Sequence, residues 1–414
     1  MRAHRWVPPA LLVALTCPLL AAAAPSGGAA VPRCDGVAAT IVGTTGPDRL
    51  TGTSGRDVGV GLGGDDVIDT LGGDDLVCGG PGADRLVGGP GDDRLLGGSD
   101  RKGIGPGGTF LVGDTLLGGP GADRLVGGGD TRTVDERRRP DTYSFADSAK
   151  PVTVDLSGSG DGTARGQGRD TIAVGPASGV VGTAYADTVT GSRRADTVDG
   201  GGGNDTIATG LGPDTVFPDG MGAGDGGRDT VATGPGRDFV SSVAGRDQIS
   251  TGADADFVEA FGPDPTVVDA GSGDDYVGTY VAPGQGASLA GGAGDDTVAF
   301  YGRLLAGQTP TARFTVDAGR GTTSASGAVS AEGTIQGVER HRFVGPLRWK
   351  YVGSDLPERT WAIEGGPLRA LMGGGNDVVT GSPLDDLIDG GSGTDTGYGG
   401  GGDDTCRSVE RGGC

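Results

Sequence analysis

The chain of 414 residues is poor in the groups that build ordinary cores and ordinary active sites. Aromatic residues make up 5% of it, and total hydrophobic content is 35%. So few large side chains bury little area for this length, which argues against a conventional globular core. Basic residues are outnumbered: Lys+Arg is 33 and Asp+Glu is 55, a formal charge of 33 − 55 = −22. That balance excludes a general basic surface, and nucleic acid is not an expected partner. Histidine occurs twice, and no His-Glu-x-x-His zinc motif is present. There is no Gly-x-Ser-x-Gly elbow for a lipase-type nucleophile either. Paired carboxylates are too common along the chain to single out a glycosidase pair. The longest stretch outside the pattern described below, residues 302–371, is small for a catalytic domain. The chain is therefore expected not to be an enzyme.

Long apolar runs are missing, with one exception. Arg2 and Arg5 precede an apolar run from Val7 to Leu20, followed by Ala21-Ala22-Ala23-Ala24. This is the layout of a secretory signal peptide over residues 1–24 with an Ala-x-Ala cleavage site. A membrane anchor is the weaker reading, because the run is short and holds Pro8, Pro9 and Pro18. No membrane span is expected, and the mature chain should be secreted and extracellular. Cysteine is scarce: Cys17 aside, there are Cys34, Cys78, Cys406 and Cys414. An even number in an exported chain suggests disulfides. Three pairings are open, and Cys406–Cys414 with Cys34–Cys78 is favoured because the first closes a short loop. A four-cysteine zinc site is the alternative, although no Cys-x-x-Cys pair exists.

Glycine is abundant: 90 residues, where usual composition gives about 7%. Collagen is excluded because Asp141 to Lys150 contains no glycine. A disordered Gly-rich chain or a repeat protein is left. The aspartates decide between them. Asp48, Asp57, Asp66, Asp75, Asp84 and Asp93 are spaced nine apart. Asp114 and Asp123 resume the step, as do Asp187, Asp196, Asp205 and Asp214. Asp229, Asp238, Asp247 and Asp256 repeat it, and so do Asp377, Asp386, Asp395 and Asp404. Glycines precede them in register, as in Gly79-Gly80-Pro81-Gly82-Ala83-Asp84, and an apolar residue such as Leu86, Ile207 or Ile388 follows two places later. Asp275 and Asp296 end similar loops but lack an aspartate 18 residues away.

Each position of this Gly-Gly-x-Gly-x-Asp-x-apolar-x unit has a physical reason. Glycine permits tight turns at positive φ. The last three residues form a short strand whose middle side chain points inward. One such strand cannot bury its apolar face alone, but stacked strands can. Two units make one turn of a coil, so residues 18 apart lie one above the other. Stacked carboxylates about 4.8 Å apart repel one another. A hard divalent cation removes that repulsion, and Ca²⁺ suits a site of carboxylates and backbone carbonyls better than Mg²⁺ does.

The repeat resembles the RTX, or haemolysin-type, calcium-binding family over roughly residues 43–129, 182–301 and 372–405. The stretch from Cys34 to Gly80 looks like the start of secreted actinobacterial-type members. The resemblance implies an all-β, right-handed parallel β-roll or β-solenoid. It also implies Ca²⁺ held by the aspartates in register and by carbonyls of the loop glycines. Ten aspartate pairs 18 apart set an upper estimate of ten sites, whose ions would add +20 against the charge of −22. The loops before Asp187 and Asp196, Gly182-Thr183-Ala184-Tyr185-Ala186 and the one holding Arg193-Arg194, depart from the pattern and are expected to be weak or empty.

This reading divides the chain into a signal peptide (1–24), an N-terminal cap (25–42), repeat block 1 (43–129) and divergent solenoid turns (130–181). Block 2 (182–301), degenerate turns or an insert (302–371), block 3 (372–405) and a C-terminal cap (406–414) follow. Residues 97–113 are expected to bulge as a loop. Arg137-Arg138-Arg139 reads as a solvated loop rather than a polymer-binding site. Val152-Thr153-Val154-Asp155-Leu156, Gly168 to Ile172, Phe314 to Asp317 and Gly337-Val338-Glu339 read as strands. The expected function is a secreted calcium-binding protein that folds outside the cell, with a structural or adhesive role. The alternatives are a carbohydrate or cell-surface binder and a β-solenoid enzyme acting on polysaccharide. Trp349 and Trp361 are the candidates for an exposed aromatic row.

Overall fold

Most strands have three to six residues, and in the regular turns most begin just after a register aspartate. They are too short to be stable singly, so stability comes from stacking. The computed structural model describes residues 30–105, 108–128, 140–175, 177–220, 226–281, 286–302, 313–326 and 331–414. The signal-peptide layout of residues 1–24 and the run Arg137-Arg138-Arg139 lie outside them. Successive strands alternate between two sheets, and each pairs in parallel with the strand one turn away. In the first sheet Val58–Val60 pairs with Leu76–Gly82, which pairs with Arg94–Gly105. In the second, Val67–Asp69 pairs with Arg85–Val87, and that with Thr115–Leu117. The chain is thus an all-β parallel roll, and no helix occurs among the described residues. No helix there is long and apolar enough to cross a membrane.

The inward residue of each strand builds one thin core. In the second sheet the column runs Leu50, Ile68, Leu86, Leu116, Tyr143, Val180, Val198 and Val216. In the first it runs Val77, Leu95, Leu125 and Ile172, then Val154, Val189, Ile207, Val231 and Ile249. All but Leu50, which is partly buried, are withdrawn from solvent and belong to one cluster. Burying each contributes about 1.5–3 kcal/mol.

Longer turns interrupt the 18-residue register without breaking the sheets. Residues 97–113 do not bulge as a loop: Arg94–Gly105 turns back on Gly108–Val112 as an antiparallel hairpin. The divergent stretch adds a meander in which Thr153–Asp155, Gly162–Arg165 and Arg169–Ala173 pair antiparallel in sequence. Its outer members pair in parallel with the regular strands on either side. Arg313–Asp317, Thr322–Ser326 and Ala331–Gln336 repeat the device. Gly337-Val338-Glu339 is not a strand; it is the bend between Ala331–Gln336 and Arg340–Val344. The short loop needs those three residues to pass from one sheet to the other.

The cysteines pair Cys34 with Cys78 and Cys406 with Cys414. The first bridge holds the hairpin of Arg33–Cys34 and Val37–Ala38 against the first sheet, where Val58, Val60 and Leu76 are covered. At the other end Arg411–Gly413 pairs with Thr396–Tyr398. Leu86→Ala is expected to destabilise the calcium-saturated protein by about 2–5 kcal/mol in chemical unfolding. Arg85→Ala, on an exposed neighbour, should change it by at most about 0.5 kcal/mol. Equal effects would contradict the core assignment.

Candidate metal centre

Because the strand begins one residue after the aspartate, stacking the strands stacks the aspartates. Their carboxylates then meet the backbone of the preceding turn. Asp66 N–H donates to Asp84 Oδ1 at 2.8 Å, and Asp75 N–H to Asp93 Oδ1 at 2.8 Å. The same bond joins Asp48 to Asp66, Asp57 to Asp75, Asp187 to Asp205 and Asp196 to Asp214. It also joins Asp229 to Asp247, Asp238 to Asp256, Asp377 to Asp395 and Asp386 to Asp404. All ten pairs 18 residues apart are therefore brought together. Every register aspartate except Asp48 and Asp404 is buried.

The rows continue where the spacing changes. Asp84 bonds Asp114 and Asp93 bonds Asp123 across 30 residues. Asp205 bonds Asp229 and Asp214 bonds Asp238 across 24. Asp275 and Asp296 have partners after all. Asp256 bonds Asp275 across 19 residues and Asp275 bonds Asp296 across 21. Four further carboxylates extend the rows: Asp141 accepts from Asp114, Asp170 from Asp123, Glu339 from Asp296 and Glu410 from Asp395. Glu358 stands in the same row and donates its N–H to Asp377. Asp141-Thr142-Tyr143 and Asp170-Thr171-Ile172 carry the aspartate-x-apolar signature in sequence. No glycine stands in register before Asp141, and Asp170 has Gly166 and Gly168 but Arg165 at the first position, so neither carries the full glycine pattern before it.

The second carboxylate oxygen divides the loops into two kinds. In fourteen of them Oδ2 is buried and finds no hydrogen-bond partner in the protein: Asp66, Asp75, Asp84, Asp93, Asp114, Asp123, Asp205, Asp214, Asp238, Asp256, Asp275, Asp296, Asp377 and Asp395. A buried polar atom without a partner costs about 1–3 kcal/mol, more if charged. Where the first residue of the loop is glycine, the oxygen lies over it; Asp75, Asp214, Asp238 and Asp256 have threonine there, Asp275 alanine and Asp377 methionine. A Cβ on Gly79 would collide with Asp84 Oδ2 and come within 2.8 Å of the Gly97 carbonyl oxygen. Gly80 follows at φ +113°, which turns the chain around the space so formed.

In the other kind a serine or threonine replaces the second glycine. Thr183 donates its N–H to Asp187 Oδ2 at 2.6 Å and its hydroxyl to Oδ1 at 3.0 Å. Ser192 does the same for Asp196, and Ser382 for Asp386. Thr44 and Thr53 close on Asp48 and Asp57, and Ser354 closes on Glu358. The departures before Asp187 and Asp196 are therefore substitutions that answer the carboxylate from within the protein.

The fourteen loops fit a hard divalent cation. The donors are carboxylate oxygens and facing glycine carbonyls, and the loops contain neither histidine nor cysteine. A bound Ca²⁺ would be held by these oxygens and would supply neutralising charge. In its absence burial, and then neighbouring carboxylates, push the aspartates far up. Asp114, Asp123, Asp205 and Asp214 rise to about 8, and Asp93 and Asp256 to about 7.

Residues 302–371 place their unusual side chains inside the coil rather than at a surface site. His341, Trp349 and Tyr351 are fully buried, and Phe300, Phe314 and Phe343 pack with them. Trp349 cannot belong to an exposed row; its Nε1 donates to the Gly345 carbonyl. Trp361 is half-buried on the outer face of the second sheet. The aromatic row that does reach the surface is Phe239, Phe257 and Tyr276. Its rings stack on each other at 5.7 and 4.5 Å, so they turn edges, not faces, to solvent.

The family model of the RTX calcium-binding nonapeptide repeat matches residues 38–68, 51–86, 79–101, 113–134, 181–216, 223–258 and 373–406. The aspartate rows run beyond these stretches, through Asp275 and Asp296. No curated protein matches the chain.

The raised carboxyl groups make the metal-free coil pH-sensitive. Their protonation stabilises the fold fully below the unfolded value near 3.8, and that stability is lost as pH rises through the folded values of about 6 to 8. In EGTA, β-structure measured by circular dichroism is expected to grow as pH falls from 8 towards 4, and the calcium midpoint to rise over the same range. A second prediction concerns the two kinds of loop. Asp84→Ala with Asp93→Ala should lower bound calcium per chain more than Asp187→Asn with Asp196→Asn. Equal losses would contradict the division.

Proposed function

We propose, on the premise that this is a chain of RTX calcium-binding nonapeptide repeats, that it is a secreted structural protein whose coil closes on Ca²⁺ outside the cell. The observation that carries this is the set of fourteen buried Oδ2 atoms without a protein partner. Stacked rows of like charge disfavour the coil, and a divalent ion at millimolar or sub-millimolar concentration offsets them. Before export, where free calcium is scarce, the same rows keep the chain open and competent for passage. Metal-coupled folding of this kind makes binding free energy into folding free energy.

The requirement for calcium is uneven along the chain. Thr44 and Thr53 begin the first repeat block, Thr183 and Ser192 the second, and Ser354 and Ser382 flank the start of the third. These loops satisfy their carboxylates internally, so the first two blocks open on turns that form without metal and the third is flanked by such turns. They template the turns that need it. We read the protein as non-enzymatic, because its buried carboxylates are engaged in rows along the coil rather than gathered about one cleft.

Circular dichroism tests the reading. The purified mature chain in EGTA at neutral pH should show little β-structure and gain it on addition of millimolar Ca²⁺. An identical spectrum in both conditions would refute calcium-coupled folding.

A further inference from the structure

One carboxylate in the coil belongs to no register position. Asp219 follows the strand Thr215–Phe217, where Phe217 pairs with Asp199 and its carbonyl accepts from Gly200 N–H. Asp219 therefore occupies the place that Gly201 takes in the turn before. Its side chain is 2% exposed. Asp219 Oδ2 accepts the N–H groups of Val243 and Ala244 at 2.9 and 3.1 Å, which fixes the carboxylate against the following turn. Asp219 Oδ1 is buried and has no hydrogen-bond partner in the protein.

Asp219 belongs to a cluster. One carboxylate oxygen from each of Asp219, Asp229 and Asp247 lies within 4.8 Å of the others, and all three residues are buried. Asp229 and Asp247 are an ordinary rung, joined by the Asp229 N–H to Asp247 Oδ1 bond, and Ser242 Oγ donates to Asp247 Oδ2. No lysine or arginine pairs with any of the three among the described residues. The rung thus gathers three carboxylates where its neighbours gather two.

We propose that Asp219 makes the Asp229–Asp247 rung a three-carboxylate hard-cation site that binds Ca²⁺ more tightly than the two-carboxylate rungs. The inference rests on the reading that the rungs bind calcium, and deepens it by ranking them. The donors are all oxygen, which selects a hard cation, and affinity in such sites grows with the number of charged ligands and with rigidity. The two backbone N–H groups on Asp219 supply that rigidity. The position of the site is also not arbitrary. Six extra residues separate Asp205 from Asp229, compared with the regular 18. The second trio, Asp100, Asp114 and Asp141, lies where spacings of 30 and 27 interrupt the register, and its oxygens also lie within 4.8 Å of one another. In both places a longer turn returns an extra carboxylate to the row.

Calcium titration of the mature chain against a chromophoric chelator tests this. The wild-type chain should show a tight class of sites ahead of the bulk. Asp219→Asn, which keeps an oxygen for Val243 and Ala244, should remove one equivalent from that class, weakening it about tenfold, while the bulk equivalents and the calcium-saturated circular dichroism stay unchanged. Asp219→Gly, which restores the regular loop residue, should do the same and controls for misfolding. An unchanged tight class in either folded variant overturns the inference. Loss of the calcium-saturated fold in both variants also overturns it, since Asp219 would then serve the fold rather than an ion. A wild-type chain that binds no calcium at all would instead refute the underlying reading.

Discussion

The bond on which the coil depends is the one from an aspartate N–H to the carboxylate of the aspartate one turn on. It is charge-assisted and worth about 1.5–3 kcal/mol each time it is made. It pins Oδ1, and by doing so it decides where Oδ2 must lie. With Oδ1 held by the preceding turn, Oδ2 of the loops that begin with glycine lies over that glycine, and a Cβ on Gly79 would collide with Asp84 Oδ2. The acidic content and the metal-binding character of the sequence both follow from that single contact. A sixth residue without a carboxylate would lose both the bond and the metal donor.

The nine-residue period, the strand positions and the identity of the row-forming aspartates were legible because each turn repeats the same local chemistry. The sequence was less informative wherever a turn changes length. Asp275 and Asp296 look solitary at a spacing of 18, yet the hydrogen bond tolerates 19 and 21 residues because the strands, not the loops, set the height of each turn. Glu339 and Glu410 reach the same donor with a side chain one methylene longer, and a pattern written in aspartate does not contain them. The antiparallel meanders were hidden for another reason. Val152 to Leu156 and Gly168 to Ile172 are strands of ordinary composition, and nothing local says that Gly162–Arg165 will pair between them. Trp349 reads as a surface candidate when judged by type, but its place in register against Leu368 puts it inside.

Serine and threonine at the second loop position carry a meaning that composition conceals. A glycine there leaves the carboxylate to an external cation; a hydroxyl and its own backbone N–H answer it from within. The difference between Gly80 and Thr183 is a few atoms, but it sets whether a rung needs a solute to close. Coils assembled from identical repeats would have no reason to begin at any particular turn. Placing the self-sufficient loops at the start of the blocks breaks that symmetry.

The coil also changes its source of stability along its length. In the first sheet the register positions after Asp247 are Thr266 and Ala287, so that carboxylate row stops. From there to about residue 370 the large side chains take over. Phe239, Phe257 and Tyr276 stack outside the second sheet, and Phe300, Phe314, Phe343, Trp349 and Tyr351 fill the interior. Stacked pairs contribute about 0.5–1.5 kcal/mol beyond the area they bury. Eleven of the 19 aromatic residues lie between residues 248 and 370, where the paired rows thin to one. Burial of rings needs no ion. The scarcity of aromatics elsewhere is the counterpart of the abundance of aspartate: turns that close on a cation can do without a thick core, and turns that have lost one row cannot.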